Sequence, residues 1–498
     1  MAERVRRLTI GHLVAALAAT GPDLPPELLA LAERTSTEVH SAVIDSRLAT
    51  PGCLFVALHG EHVDGHAFIP EAVDRGAVAV IAQAPPPPGV CASLSLAGGS
   101  IDPAAISPGM PLCLIVPDSL VALQQAAAYW RRQHDVQVIG ITGSIGKTTS
   151  KEVVAAVLRQ RYRTLRSEGN YNNEIGLPLT LLHLTSEHER VVLEMGMYDL
   201  GEITQLAAIA RPQVGVVTNV GPTHLERLGT IERIAQAKAE LPQALPPADQ
   251  GGVAILNADD DRVRAMSAQT QARVFTYGLH PDADLWASDV NSEGLEGIRF
   301  QLHFRGQRLN VQVPMLGRHS VHTALSGAAA GLVEGLDWSE IVTGLRDQPA
   351  QLRLVAVPGP SDSLILDDTY NASPASCIAA LNLLDELSTS RDPARKIAIL
   401  GDMYELGAFE EEGHRMVGRR ARDVADVLVT VGRLGRIIGQ EALEDGMAPE
   451  AVHLAETKEE VIDFLLNMVT TGDLILVKGS RGLSMEEIVM ALQQEDLA

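Results

Sequence analysis

Gly143, Ser144, Ile145, Gly146, Lys147, Thr148 and Thr149 form a glycine-rich turn that ends in Gly-Lys-Thr-Thr. Such a turn can wrap its backbone N–H groups around a phosphate at the positive end of a following helix. Lys147 can reach the outer phosphates, and the Thr148 hydroxyl can sit on a magnesium ion. A strict P-loop carries a glycine five positions before the Gly-Lys pair; here that position is Ile141, so the loop is the shorter G-x-x-G-K-T form that starts at Gly143. The elements needed to hold it flank it. Val136, Val138, Ile139 and Ile141 read as a buried strand, and the pairs Val153/Val154 and Val157/Leu158, one turn apart, read as a helix. An ordinary glycine turn is the competing reading, and the strand and helix on either side argue against it.

Two further strand ends carry polar chemistry. Residues 191–193 (VVL) end in Glu194, and residues 214–218 (VGVVT) run into Asn219-Val220-Gly221-Pro222-Thr223-His224. An open α/β sheet binds its ligand just past the carboxyl ends of its strands, so these groups are expected on one edge with the loop. Magnesium prefers hard oxygen ligands and would take Glu194 and Thr148 together with phosphate oxygens. Taken singly, Glu194 reads equally well as a solvated strand end, and His224 reads first as a capping or general polar histidine.

Composition narrows the class. At 498 residues, with 46% hydrophobic and 21% charged, the chain can build several globular cores and has no apolar run of membrane length. Its 63 acidic against 40 basic residues give a net charge of −23, which argues against a nucleic-acid partner and makes local cations such as Lys147 necessary for any anionic ligand. Cys53, Cys91, Cys113 and Cys377 show no C-x-x-C spacing and read as buried small hydrophobes in a reducing compartment. Arg4, Arg6 and Arg7 before an apolar stretch loosely resemble a signal peptide. His12 interrupts that stretch, however, and Leu8, Leu13 and Leu17 space out like one face of an amphipathic helix, so a structural first element is expected.

Three zones follow, with expected domains at 1–117, 118–346 and 347–498. The first carries short apolar strands at 53–58, 77–82 and 112–116. Its segment 83–111, rich in Pro, Gly, Ser and Ala, reads as a surface excursion. The second opens with a helix at 119–134, alternates strands and helices around the phosphate loop, and after Asn257 shows short strands at 274–277, 284–290, 298–304 and 309–313, expected as an antiparallel appendage. The third alternates again, with strands at 364–367, 396–400, 427–431 and 474–477 and a helix from Ser376, as in a second doubly wound domain. The expected fold class is α/β in three domains, the last Rossmann-like.

At this point the residues carry a family resemblance. TGSIGKTT (142–149), SEGNYNNEIGLPLTLL (167–182), LEMGM (193–197) and NVGPTHLERLGTIERIAQAKAEL (219–241) resemble the Mur ligases, ATP-dependent amide-forming enzymes of peptidoglycan synthesis. LDDTYNASPAS (366–376), LGDMYELG (400–407) and VKGSRG (477–482) are similar to the member that adds D-alanyl-D-alanine. DSR (45–47), PGCLFVALHGEHVDGHAFI (51–69) and RGAVAVI (75–81) resemble the domain that binds the UDP-sugar. A sister ligase that adds a diamino acid would share the central motifs but not the YNASP and GDMYELG forms, and a folate-type polyglutamate ligase lacks the N-terminal signature. A Mur-like scaffold without catalysis would show damage at Lys147, Thr148, Glu194 or His224, and all are present.

The resemblance implies that ATP phosphorylates the carboxylate of a UDP-N-acetylmuramoyl-tripeptide and that the amine of D-alanyl-D-alanine displaces the phosphate. It implies two magnesium ions, one on Thr148 and Glu194, the other on His224. Asn172 and Asn173 would position tripeptide and phosphate, with capping at a helix entry as the alternative. Arg353 and Asp368 would grip ATP; Tyr370, Asn371, Lys478 and Arg481 would line the side that receives the dipeptide; Ser46 and Arg47 would contact the UDP portion, against a structural turn. Lys238 by itself reads as a solvated helix lysine, and the resemblance makes it a carbamylated ligand of magnesium. A monomeric cytoplasmic enzyme is implied. One departure concerns adenine: where the family carries asparagine in the Gly-x-His block, this chain has Ser320 and Thr323, which reach less far as donor and acceptor.

Overall fold

The computed structural model describes residues 6–18, 36–60, 63–96, 110–347, 354–391 and 394–494. The chain divides into two compact units, one of Met1–Gly140, Tyr162–Met197 and Gly201–Val214, the other of Ile141–Arg161, Tyr198–Leu200 and Gly215–Ala498.

In the first unit a five-stranded sheet runs in the order Ser41–Val43, Cys53–Val56, Ala79–Ala82, Leu112–Ile115, Ala92–Ser95, all parallel. Parallel strands covered on both faces need continuous apolar sequence, and CLFV and AVIA are buried at every position. The strand Ala92–Ser95 corrects the expectation of a surface excursion. Ser93 and Ser95 are exposed while Leu94, 2% exposed, is in the core, so a polar/apolar alternation sits inside a stretch whose composition reads as loop. Residues 97–109 lie outside the described residues. The helix Ile10–Ala18 is the expected structural first element. It buries Leu13 and Val14 and packs on the helix Ser119–Arg132, whose N-terminus is capped by the Asp118 side chain accepting from Val121 N at 2.9 Å. The strands Thr164–Arg166 and Arg190–Glu194 of this unit pair in parallel.

In the second unit the strands Val253–Asn257, Arg273–Gly278 and Leu285–Ser292 are parallel neighbours, and Ile298–Phe304 and Gln307–Val313 continue the sheet antiparallel. The expected four-stranded appendage is thus three antiparallel strands at a sheet edge, because the strand at 273–278 joins the parallel part. The two-residue turn Arg305-Gly306, with φ of 47° and 78°, closes the last hairpin. The helix Lys147–Leu158, which follows the phosphate loop, packs against Val321–Val333 and Trp338–Arg346.

A six-stranded sheet orders Val355–Gly359, Ser363–Asp368, Leu474–Lys478, Lys396–Gly401, Val427–Val431 and Val452–Ala455, antiparallel only at the first pair. Alternate residues feed two cores, Leu366, Ala398, Leu400, Leu428 and Leu476 on one face and Ile365, Ile399, Val429, Ile475 and Val477 on the other. This is the doubly wound arrangement expected of the third zone, with an antiparallel edge strand added. All four cysteines are free and buried.

Candidate active site

The phosphate loop leaves the strand Gln137–Thr142 and enters its helix at Lys147. Gly146 has φ 79°, and a Cβ there would meet nothing within 4 Å, so the loop is open at the helix start. Gly143 is required for another reason: a Cβ would fall 1.9 Å from Thr218 Oγ1. The segment after the strand Val214–Val217 clamps the loop. Asn219 O accepts from Ser144 N (3.0 Å), its Oδ1 accepts from Ile145 N (2.9 Å), and its Nδ2 donates to Ile145 O (2.9 Å). Ser144 Oγ donates to Gly221 O at 3.0 Å and accepts from Gly221 N at 2.8 Å. The N–H groups of Ser144 and Ile145 are therefore engaged within the clamp. Lys147 Nζ donates to Gly143 O (2.9 Å) and Ser144 O (3.2 Å), which holds its charge over the loop. Sequence reading passed over Asn219; a lone side-chain amide just past an apolar strand was the available signal.

Lys238 lies on the helix Ile231–Ala244 and is 1% exposed, not solvated. Burial drives its pKa well below the ordinary lysine value, and the Lys147 charge lowers it further. A lysine in that environment is an amine ready to become neutral, the form that captures carbon dioxide.

His224 stands between the strand segment and the short helix Leu225–Leu228, with a left-handed backbone (φ 58°). Its Nδ1 is 2.6 Å from Glu405 Oε2, and Tyr198 stands edge-on to its ring at 5.1 Å. The imidazole holds the Glu405 carboxyl below its usual range, against a smaller opposing effect of burial. Glu405 is a second group that sequence reading did not single out.

In the first unit Glu194 closes the strand Arg190–Glu194 and is 1% exposed, which removes the solvated strand end as its explanation. Its Oε1 accepts from Asn172 Nδ2 at 2.9 Å. Asn173 behaves differently: its Oδ1 accepts from Gly176 N at 2.9 Å, the helix-entry cap. Ser46 Oγ donates to Glu71 Oε2 at 2.8 Å, and the exposed Arg47 pairs with its neighbour Asp45 at 2.6 Å, so this turn is braced from within. Nearby in sequence, Asp64 Oδ1 lies 2.7 Å from His66 Nδ1 and 3.2 Å from His59 Nδ1. His66 Nε2 accepts from Gln83 N at 2.9 Å, so its proton is on Nδ1 and the ring is structural.

On the C-terminal sheet, Lys478 is 2% exposed and donates to Asp368 Oδ2 (2.7 Å) and Asn371 O (2.8 Å). Its charge anchors the DDTYN turn, and Arg481, exposed with its guanidinium 5.1 Å over the Tyr370 ring, is the cation there that faces outward. Ser320 Oγ donates to Leu316 O at 2.7 Å, and the neighbouring His322 Nε2 meets Asp259 Oδ2 at 2.8 Å. Arg353 lies outside the described residues.

In the second unit the glycine-rich loop at the start of a helix, with Lys147 and Thr148, fits a nucleotide, and the buried Lys238 amine lies under the like charge of Lys147; in the first unit the buried Glu194 carboxylate is of the type that suits a hard divalent cation. Comparison with known proteins agrees with this chemistry. Family models match three segments: the Mur ligase family, catalytic domain at residues 38–112; the Mur ligase middle domain at 141–331; and the Mur ligase, glutamate ligase domain at 353–481. The chain is 36% identical over 475 residues to the UDP-N-acetylmuramoyl-tripeptide--D-alanyl-D-alanine ligase of Bacillus subtilis (strain 168), covering 94% of this chain and 96% of that one. It is 35% identical to the ligase of the same name from Escherichia coli (strain K12), over 90% and 93% of the two chains. The crystal structure of MurF from Acinetobacter baumannii superposes with a TM-score of 0.79 at 29% identity, covering 99% and 100%. That of MurF ligase from Thermotoga maritima in complex with ADP gives 0.72 at 26%, covering 92% and 99%. The chain belongs to the Mur ligase family. Among its described residues no helix is long and apolar enough to cross a membrane.

Proposed function

We propose that this protein is the ATP-dependent, ADP-forming ligase that joins D-alanyl-D-alanine to UDP-N-acetylmuramoyl-tripeptide in peptidoglycan precursor synthesis. The observation that carries the reading is likeness along almost the whole chain, 94% of it, to a relative of that activity. The motifs at both ends, not the phosphate loop alone, support it.

The reaction activates a carboxylate of the tripeptide as an acyl phosphate, and the dipeptide amine displaces phosphate through a tetrahedral intermediate. ATP and the UDP-linked tripeptide are both anionic, the dipeptide carries a carboxylate, and the chain is strongly acidic, so cations must be supplied locally. Lys147, held over the loop by the Gly143 and Ser144 carbonyls, neutralises the transferring phosphoryl group. Magnesium, when bound, supplies charge neutralisation at the phosphoryl oxygens. Thr148 and Glu194 would hold one ion, His224 and carbamylated Lys238 a second. The Lys238 amine takes up carbon dioxide, losing one proton and gaining a carboxylate-like group whose two oxygens suit magnesium.

Asn172, bonded to Glu194, orients that carboxylate, and Asn173 fixes the backbone next to it. Gly143, Ser144, Ile145, Gly146 and Thr149 shape the nucleotide cradle, with Arg353 and Asp368 completing the grip on ATP. Tyr370, Asn371 and Arg481 receive the dipeptide over the turn that Lys478 anchors, and Ser46 and Arg47 serve the UDP end. The working division is a UDP-muramoyl domain at 1–117, an ATP domain at 118–346 and a ligase domain at 347–498, in a monomeric cytoplasmic protein.

The test is phosphate release by the purified chain with ATP, magnesium, defined UDP-muramoyl peptides and a panel of amino acids and dipeptides. Turnover with the tripeptide and D-alanyl-D-alanine is expected; turnover only with the dipeptide precursor and a diamino acid would assign the sister activity instead.

A further inference from the structure

We propose that Tyr404 determines which acceptor the protein takes: its ring is a fixed wall beside Arg481 that admits a methyl group on the dipeptide's carboxyl-terminal residue and rejects a larger side chain. This rests on the reading that Arg481 and its neighbours receive the dipeptide.

The sheet topology brings three loops to one edge. The strands Ser363–Asp368, Leu474–Lys478 and Lys396–Gly401 are parallel neighbours, and Lys478 pairs with Asp368 on one side and Leu400 on the other, so their carboxyl ends lie level. Such an edge is where an open parallel sheet takes its ligand. The middle strand runs on to Arg481, and the strands on either side run on to Tyr370 and Tyr404. Lys478 brackets Tyr370 by its bonds to Asp368 and Asn371, and the Arg481 guanidinium lies 5.1 Å over the Tyr370 ring. A guanidinium over an aromatic face keeps the donors at its edge, which suit a carboxylate.

Tyr404 is tied at both ends. Its N–H donates to Ser480 Oγ at 2.9 Å, and its hydroxyl donates to Asp402 Oδ2 at 3.3 Å. Asp402 is itself fixed and buried: Oδ1 accepts from Leu434 N (2.9 Å) and Gly435 N (2.7 Å), and its backbone O accepts from Ser480 N (2.9 Å). Burial, then the Asp402 charge, pushes the phenol pKa up, so the hydroxyl keeps the proton it donates. Between these ties the ring lies against Gly482, the residue after Arg481, where a Cβ would fall 3.0 Å from Tyr404 Cε2. The side chain is nevertheless 40% exposed, so apolar surface is left facing outward. D-Alanyl-D-alanine offers a carboxylate and, on the adjoining carbon, a methyl group. With the carboxylate on Arg481, that methyl is the group that meets a wall beside Gly482. A ring held at its backbone and its hydroxyl cannot swing aside for a longer side chain.

Phosphate release by the full chain, with ATP, magnesium and UDP-N-acetylmuramoyl-tripeptide, compares kcat/KM for D-alanyl-D-alanine and D-alanyl-D-leucine. Wild type should prefer D-alanyl-D-alanine by roughly tenfold or more, and Tyr404→Ala should lower that ratio by roughly tenfold or more through a gain with the leucine dipeptide. The ratio is taken within one enzyme, so a partial loss of folded protein cancels. Tyr404→Leu and Tyr404→Val, which keep apolar packing on Gly482, should move the ratio the same way by less, and Tyr404→Phe, which keeps the ring, should retain a preference. Turnover with D-alanyl-D-alanine at an unchanged ratio in these variants, or a wild type that shows no preference, overturns the role of Tyr404 alone. A wild type that uses neither dipeptide but turns over with a diamino acid overturns the reading of function and this proposal together.

Discussion

Replacing Lys238 by methionine separates the two burdens that this residue carries. The side chain is 1% exposed and the charge acting on it is that of Lys147, so protonating it in the fold is unfavourable. Its folded-state pKa lies below its unfolded value, so between the two the unfolded chain binds more protons and stability rises with pH. Each pKa unit of depression is worth about 1.4 kcal/mol against the native state at pH values below the folded pKa. Methionine removes that penalty at similar volume, and a volume-conserving swap costs less than about 1.5 kcal/mol. In buffer free of carbon dioxide and magnesium, Lys238→Met should therefore be at least as stable as wild type at pH 7, and its advantage should shrink as pH rises toward the unfolded lysine value of about 10.4. Ligation should behave in the opposite way. Losing a metal-bound anion removes several kcal/mol of transition-state stabilisation, roughly a hundredfold or more in rate. Lys238→Ala should be similarly inactive but partly restored by acetate or formate, which can occupy the carbamate position. Urea unfolding against pH and phosphate release with added carboxylates measure both sides. A pH-independent stability gap between Lys238→Met and wild type would refute the buried-amine argument, and full activity in Lys238→Ala would refute the carbamate.

Lys147→Ala should abolish ligation, because no other side chain of the loop can place a charge on the γ-phosphate; residual turnover near wild type in a phosphate-release assay would contradict this. Thr148→Ala and Glu194→Ala should raise the magnesium concentration needed for half-maximal rate, a shift read from magnesium titrations. Asn219→Ala removes two side-chain hydrogen bonds to Ile145, leaving its N–H and C=O to relax, at a cost of about 1–3 kcal/mol. Calorimetry should show weaker ATP binding, and an unchanged Kd would mean that the loop holds its shape without the clamp. Lys478→Ala leaves Asp368 without its buried cation and should destabilise the chain by about 3–5 kcal/mol in denaturant unfolding, with Asp368→Asn in the same background recovering part of the loss.

What the sequence by itself determined about this protein was local. The phosphate loop was legible because its turn, its lysine and its helix are contiguous, and the strands of the C-terminal sheet because alternate residues serve its two cores. Resemblance to the Mur ligases added the substrates, since separated motifs along nearly the whole chain must agree at once. The tertiary structure decided the environments. Lys238 looks solvated among QAKAEL yet is buried under like charge; Asn219 looks like an ordinary strand end yet clamps Ile145; Glu405 and His224 are 181 residues apart in sequence and 2.6 Å apart in space. The strand Ala92–Ser95 sat inside a composition that reads as loop, because an edge strand needs only one apolar face and its partner lies at Leu112–Ile115. Desolvation, pairing and clamping depend on which atoms stand within a few ångströms, and no window along the chain contains both partners.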